Sequence, residues 1–102
     1  MEKLAVIHTA FEDKPSTVAF VDVPEFPTLI EKLEYAYRWT QNIVGSWSLK
    51  IGDDANNNVT VMGDVSSGMG LRSTSMGDQI LVGNKKYVVA MMGFKTLEGE
   101  KV

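Results

Sequence analysis

One segment of the chain, residues 28–45, has the apolar periodicity of an α-helix, and most of the remaining chain has the patterning of short β-strands. Thr28 and Glu31 have the spacing of a capping box, in which each side chain satisfies a free backbone N–H at the start of a helix. Gly45 stands where a helix can end on a residue with positive φ. The predicted core face covers an arc of roughly 120° on a helical wheel and consists of Leu29, Ile30, Leu33, Ala36, Tyr37, Thr40 and Val44.

Strand-forming segments lie on both sides of this helix. Residues 3–11 and 17–23 are rich in β-branched and aromatic side chains and are separated by a polar turn with Pro15, which predicts an antiparallel hairpin. After the helix, residues 47–51 and 59–62 are expected to be short strands, and the glycines within 63–70 indicate a loop. The last strands are expected at 78–82, 85–92 and 94–97, with Gly83-Asn84 as a tight hairpin turn between the first two.

This pattern of one helix and about six short strands predicts an α+β fold. We expect a single domain over residues 1–102, in which the helix packs on one face of a mostly antiparallel sheet. Residues 98–102 are expected to be a frayed tail.

The chain lacks the residues that most catalytic and metal sites need. It has no cysteine and a single histidine, His8, among its 102 residues. The absence of cysteine excludes disulfides, thiolate zinc sites, iron–sulfur clusters and cysteine nucleophiles. There is also no G-x-S-x-G motif for a serine nucleophile. We therefore predict no catalytic residue, no metal site and no cofactor, with a hydrolase that uses a carboxylate pair as an open alternative.

The charge balance and the apolar runs bear on partners and location. Ten Lys and Arg residues against thirteen Asp and Glu residues give a net charge of −3, which argues against a nucleic acid or an acidic membrane as partner. No apolar run approaches the ~20 residues that cross a bilayer. The N-terminus lacks the pattern of a signal peptide. We expect a cytoplasmic protein with no membrane partner.

A second apolar stripe follows the predicted helix beside its core face. Tyr35, Trp39 and Ile43 are spaced four residues apart, and Trp47 extends the stripe beyond the helix. One interpretation is that a loop or an extra strand covers the stripe. The other is a surface for a partner protein or a second copy of the chain, because Trp and Tyr anchor interfaces. In that case Arg38 is expected to be a polar contact at its rim.

The segment 68–78 combines glycines and hydroxyl side chains with one arginine. It leads into a strand and not into a helix, and it matches neither the P-loop nor a complete G-x-G-x-x-G motif. A structural role is therefore favoured, in which hydroxyls bind the backbone, Gly77 forms a turn and Asp78 caps the turn or pairs with the arginine. The alternative is an anion site formed by Arg72, Ser73, Thr74 and Ser75.

Residues 72–80 read Arg-Ser-Thr-Ser-Met-Gly-Asp-Gln-Ile, and Tyr87-Val88-Val89 and Gly93-Phe94 follow them. This run is similar to the R-S-x-S-x-G-D-[VI] … Y-x-V … G-F signature of YodL-like domains, which occur in conjugative elements, plasmids and phages. The helical segment 33–42, with Ser46-Trp47, also resembles small stand-alone proteins of such elements. The resemblance implies a phage or mobile-element origin and transfers no catalytic residue.

Together these features predict a small, non-enzymatic interaction protein of a phage or mobile element. It is expected to bind a host or element-encoded protein and to modulate host processes. The alternative is an accessory module that binds an anion or a nucleic acid through residues 72–75.

Overall fold

The computed structural model describes all 102 residues and contains one α-helix and one six-stranded antiparallel sheet. In chain order the elements are β1 (Glu2–His8), β2 (Ser16–Val23), α1 (Leu29–Arg38), a 3₁₀ turn (Gly52–Asp54), β3 (Val59–Val61), β4 (Gln79–Val82), β5 (Lys85–Val89) and β6 (Phe94–Thr96). The order across the sheet is β3-β2-β1-β4-β5-β6, with every neighbouring pair antiparallel. This architecture confirms the predicted α+β class.

Two hairpins form as the sequence predicted. In the first, β1 pairs with β2 in a register that sets Leu4 opposite Val21, with a bulge between Val6 and Ile7. In the second, β4 and β5 are joined at the predicted turn, where Gly83 has a φ of +63°.

The helix begins where the capping box places it. The Thr28 hydroxyl accepts a hydrogen bond from the backbone N–H of Glu31 at 3.2 Å and donates one to the Glu31 carboxylate at 2.8 Å. Near this end, Lys32 Nζ donates to Glu2 Oε1 at 2.8 Å and ties the helix to the first residue of β1. At ten residues, α1 is too short to cross a bilayer, and no other helix in the chain could do so.

The predicted far end of the helix, at Gly45, is wrong. The last helical residue is Arg38, and Trp39 is the C-cap. Beyond it, the backbone N–H groups of residues 43–45 donate to the carboxylate of Asp54 instead of continuing the helical ladder. A distant carboxylate therefore sets the path of this segment, and the local periodicity does not reveal it.

Two further expectations are corrected. Residues 47–51 are not a strand, because an isolated bridge between Ser46 and Ile51 closes a tight turn there. Residues 98–102 are not frayed, because Lys101 pairs with Lys95 and the Val102 N–H donates to the carbonyl of Phe94 at 3.0 Å.

The hydrophobic core lies between α1 and one face of the sheet. Fourteen buried residues form a single cluster, to which the helix contributes Leu33 and Ala36. Trp47 enters this cluster from the connection after the helix, and Leu71 packs against it from the loop before β4. The helix and both long connections therefore cover the same face of the sheet.

Gly45 is needed for close approach and not for a positive φ. A Cβ atom at this position would lie 2.0 Å from the carbonyl oxygen of Ile51, in the backbone of the turn that follows. The obstacle is backbone, so no side-chain rotation can relieve the clash.

We therefore predict that Gly45→Ala lowers the free energy of unfolding by about 2 kcal/mol or more, as overpacking does in well-packed sites. The matched control is Gly68→Ala, which has a φ of +81° and no atom within 4 Å of an added Cβ. That control is expected to cost about 1 kcal/mol, through backbone strain alone. Urea unfolding of both variants measures the difference, and equal losses would contradict the packing argument.

Candidate functional site

In the segment 68–78, the arginine of the alternative anion site already binds two carboxylates of the protein itself. The Arg72 guanidinium donates two hydrogen bonds to Asp78, at 2.7 and 2.9 Å, and two to Glu12, at 3.2 and 2.8 Å. A fifth bond, from Nη1, reaches the carbonyl of Ser73 at 2.9 Å. An arginine has five N–H donors, so Arg72 has none left for an external anion.

Asp78 occupies the position that such an anion would take. It is fully buried and accepts backbone N–H groups from Thr9, Ala10 and Ser75 at 2.8, 2.9 and 2.7 Å. Burial alone would raise the pKa of Asp78, but the bonds from Arg72 and from these N–H groups outweigh it and lower the pKa to about 2. The carboxylate is therefore ionised and fully engaged at neutral pH.

The neighbouring hydroxyls are also engaged within the chain. Ser73 Oγ accepts the backbone N–H of Asn42 at 2.8 Å, and Ser75 Oγ donates to the Ser73 carbonyl at 3.1 Å. These bonds agree with the favoured structural role of the segment, in which its residues brace the loop before β4, and they leave the alternative anion site at Arg72, Ser73, Thr74 and Ser75 without support.

Thr74 belongs to a buried hydrogen-bonded chain that joins the sheet to the end of the helix. Thr40 Oγ1 donates to the carbonyl of Ala36 at 2.9 Å, and Thr74 Oγ1 donates to Thr40 Oγ1 at 2.8 Å. Because each hydroxyl has a single proton, His8 Nε2, 3.0 Å from Thr74 Oγ1, must be the donor in the remaining bond. The order of these bonds assigns the His8 proton to Nε2.

This arrangement is not a nucleophile–base–acid triad. The Thr74 hydroxyl and the Asp78 carboxylate both lie near the same ring nitrogen of His8, at 3.0 and 3.9 Å from Nε2. A triad needs them on opposite ring nitrogens. All three side chains are also buried.

The pKa of His8 predicts how the free energy of unfolding depends on pH. Burial lowers this pKa below 6.5, and the nearby Asp78 only partly opposes the effect. The unfolded chain therefore binds this proton more readily, so the free energy of unfolding should fall as the pH drops below about 6.5. A second fall is expected between pH 3.8 and about 2, where Asp78 is protonated in the unfolded chain first.

Urea unfolding between pH 7.5 and 4.5 measures the first fall. His8→Gln is the matched variant, since its amide can donate to Thr74 and does not titrate. It should remove the part of the slope that begins near pH 6.5 and leave the acid loss intact. An unchanged slope in this variant would contradict the assignment to His8.

The predicted aromatic stripe is partly covered by the loop before β3. Tyr35 is half-buried, and its hydroxyl accepts hydrogen bonds from the side-chain amides of Asn56 and Asn58 at 3.1 and 3.0 Å. Trp39 is half-buried against the core, whereas Ile43 keeps 63% of its surface exposed.

Arg38 and Asp54 hold the connection after the helix. The Arg38 guanidinium stacks on the Trp39 ring at 4.2 Å, and its Nη1 lies 3.3 Å from Asp54 Oδ1. Asp54 Oδ2 accepts the backbone N–H groups of residues 43–45 at 2.7 to 2.8 Å. These bonds, led by the one from Gly45, lower the pKa of Asp54. Arg38 therefore forms an ion pair with a carboxylate of its own chain, while 37% of its side chain stays exposed.

The prediction that Trp47 is a surface anchor is wrong. Its side chain is fully buried and its Nε1–H donates to the carbonyl of Arg72 at 3.0 Å. The ring meets His8 edge-on at a centroid distance of 6.5 Å. Of the five residues predicted to bind a partner, only Ile43 is mostly exposed.

The structure contains a groove that the sequence did not reveal. It has a volume of about 480 Å³ and lies between α1 and the turn that joins β5 to β6. The helix lines it with Ile30, Glu34 and Tyr37, residues 90–94 line the opposite side, and residues 101–102 close one end. The sequence pattern had assigned Ile30 and Tyr37 to the core and residues 85–92 to one continuous strand.

Methionines are half of the large apolar residues that are exposed. Met91 and Met92, in the groove, are 85% and 78% exposed. All six methionines of the chain are in fact exposed, although methionine is usually among the most buried residue types. In the sequence, only the adjacent pair Met91-Met92 before Gly93 points to this groove.

Comparisons of the chain with protein-family models, with curated proteins and with solved structures found no match. The functional interpretation of the groove therefore rests on the geometry of this chain.

Proposed function

We propose that the chain is a small interaction protein that binds another protein through the groove between α1 and the β5–β6 turn. The observation that carries the proposal is the exposure of Met91 and Met92 beside an apolar cavity of about 480 Å³. Methionine has a flexible, polarisable side chain and is common on surfaces that adapt to a protein partner.

The composition of the groove favours a protein as its ligand. Its floor is apolar, with Tyr37 and Phe94 in contact at a ring distance of 6.2 Å, and its rim carries the charges of Glu34 and Lys101. Apolar patches rimmed by polar groups are typical of protein-binding surfaces. The partner would place an apolar side chain between Met91 and Met92.

The helix stripe is retained in this proposal as a second contact. Trp39 and Ile43 both lie on the connection that follows the helix. Trp39 is half-buried and Ile43 is exposed. Tyr35 and Arg38 would support this contact from within, because both side chains are held by the loop that includes Asp54 and Asn56.

The resemblance of residues 72–80 to YodL-like domains supports a phage or mobile-element origin within the same proposal. The partner would then be a host or element-encoded protein in the host cytoplasm, and the chain would act by binding and not by catalysis. The alternative of an anion- or nucleic-acid-binding module loses support, because Arg72 has no free donor.

Site-specific photocrosslinking tests the groove. A benzophenone amino acid replaces Met91, and in a matched control it replaces Met69, which is 87% exposed and outside the groove. Both variants are expressed and irradiated in cells of the organism that encodes the chain. The Met91 variant should give one defined protein adduct that the Met69 variant does not give.

A charge reversal refines this test. Glu34→Arg changes only the rim of the groove, so it should reduce the Met91 adduct several-fold while leaving thermal unfolding unchanged. Equal adducts from Met91 and Met69, or no adduct from Met91, would contradict the proposal.

A further inference from the structure

The fold keeps every methionine out of the core. No methionine belongs to the core cluster, and none packs against it as a partly buried neighbour. The least exposed of the six is Met62, which still keeps 52% of its surface in contact with solvent. Because the chain also lacks cysteine, all of its readily oxidised sulfur atoms lie at the surface.

Met91 and Met92 differ from the other four methionines in where they lie. They are the two central residues of the tight turn between β5 and β6, in which the backbone N–H of Ala90 donates to the carbonyl of Gly93 at 3.0 Å. Both line the groove beside α1, whereas none of the other methionines does. At 85% and 78% exposure, both thioethers are accessible to solutes.

Oxidation to the sulfoxide would change these side chains from apolar to polar. A methionine sulfoxide carries a polar S–O bond, and it disrupts cores and methionine-rich interfaces for that reason. The core of this chain contains no methionine, and backbone atoms form the hydrogen bond that closes the turn. Oxidation can therefore change the groove while the fold persists.

We propose that Met91 and Met92 are a reversible oxidation site through which peroxides weaken binding in the groove, an inference that rests on the proposed function. The thioether sulfur attacks one peroxide oxygen, so that an S–O bond forms as the O–O bond breaks. The proton of the transferred oxygen moves to the leaving hydroxide, which departs as water. Sulfur is thereby oxidised by two electrons and the peroxide is reduced.

The reverse step needs a reductant of the thiol class. A methionine sulfoxide reductase removes the oxygen as water and restores the thioether, while two thiols are oxidised to a disulfide. The groove is open to solvent on the side of Met91 and Met92, so an enzyme of this kind can reach both sulfur atoms. The oxidised state is therefore reversible without unfolding of the chain.

Oxidation should weaken binding because of what surrounds the two sulfur atoms. The floor of the groove contains the rings of Tyr37 and Phe94. An apolar side chain of a partner placed between Met91 and Met92 would cover the two sulfoxide oxygens and remove their water. A polar group that is buried without a hydrogen bond costs free energy, so we expect binding to fall several-fold.

Treatment of the purified full chain with hydrogen peroxide tests the accessibility of the site. Peptide mass spectrometry follows the oxidation of each methionine with time. Met91 and Met92 should be oxidised at least as fast as Met62 and Met76, which are 52% and 56% exposed. The thermal unfolding midpoint of the fully oxidised chain should equal that of the untreated chain, because no core contact is changed.

The fluorescence of Nile red, a neutral apolar dye, tests the polarity of the groove. A volume of about 480 Å³ is within the range that holds a drug-sized molecule. Oxidation should lower dye binding several-fold, and a methionine sulfoxide reductase with a thiol should restore it. In the double variant Met91→Leu, Met92→Leu, dye binding should survive peroxide. Met69→Leu, outside the groove, is the matched control and should behave like the natural chain.

Four results would each overturn the inference. They are slower oxidation of Met91 and Met92 than of Met62 and Met76, unfolding of the oxidised chain, no dye binding before oxidation, and equal dye loss with and without the two leucines. None of these measurements needs a protein partner.

Photocrosslinking from a second position separates this inference from the proposed function. A benzophenone amino acid at Ile30, on the helix side of the groove, leaves both methionines in place. Its protein adduct should fall several-fold when the chain is oxidised first. An adduct that oxidation does not change would overturn the inference alone, whereas the absence of any adduct from the untreated chain would overturn the proposed function.

Discussion

The ion pair between Arg72 and Asp78 holds together the end of the sheet at which the chain's loops converge. Asp78 precedes β4, and its carboxylate fixes the backbone of Thr9 and Ala10, where β1 leads into the hairpin turn. Arg72 reaches the same turn through Glu12. A buried charge is tolerated only when donors surround it, and here a guanidinium and three backbone N–H groups do so. The loop that they brace presents Thr74 to His8 and to Thr40, which links the end of the helix to the sheet.

Asp54 is a second buried carboxylate that is surrounded by backbone N–H donors. Its carboxylate gathers three successive N–H groups and turns the chain away from the helix after Trp39. The turn that results carries Trp47 into the core and brings Gly45 against the carbonyl of Ile51. Two buried carboxylates thus organise connections that have little regular structure of their own. These connections leave the methionine groove beside α1 exposed, and this is the surface for which we propose a partner.

The six strands of the sheet, both hairpins and the helix start were predictable because they depend on local patterns, such as the Thr28–Glu31 box and the Gly83-Asn84 turn. The same alternation of apolar and polar residues wrongly predicted a strand at 47–51, where the chain forms a turn. The helix end was not, since Asp54 lies beyond the segment that it redirects. The burial of Trp47 and the pairing of Arg72 with Glu12 depend on residues far apart in the chain, and no spacing in the sequence indicates them. The structural interpretation of residues 68–78, including the pairing of Arg72 with Asp78, agrees with the structure. The groove was missed because a pattern of apolar residues does not distinguish a core strand from an exposed turn with two methionines.

The central claim is that Arg72 and Asp78 act as one structural unit and not as a ligand site. A double-mutant cycle with Arg72→Met, Asp78→Asn and the double variant tests it most directly, with the free energy of unfolding measured in urea at pH 7.5. Each single variant should lose about 3 kcal/mol, because a buried charge or its polar cradle is left without its partner. The double variant should lose about 2 kcal/mol less than the sum of the two. Additive losses, or single losses near zero, would contradict the account.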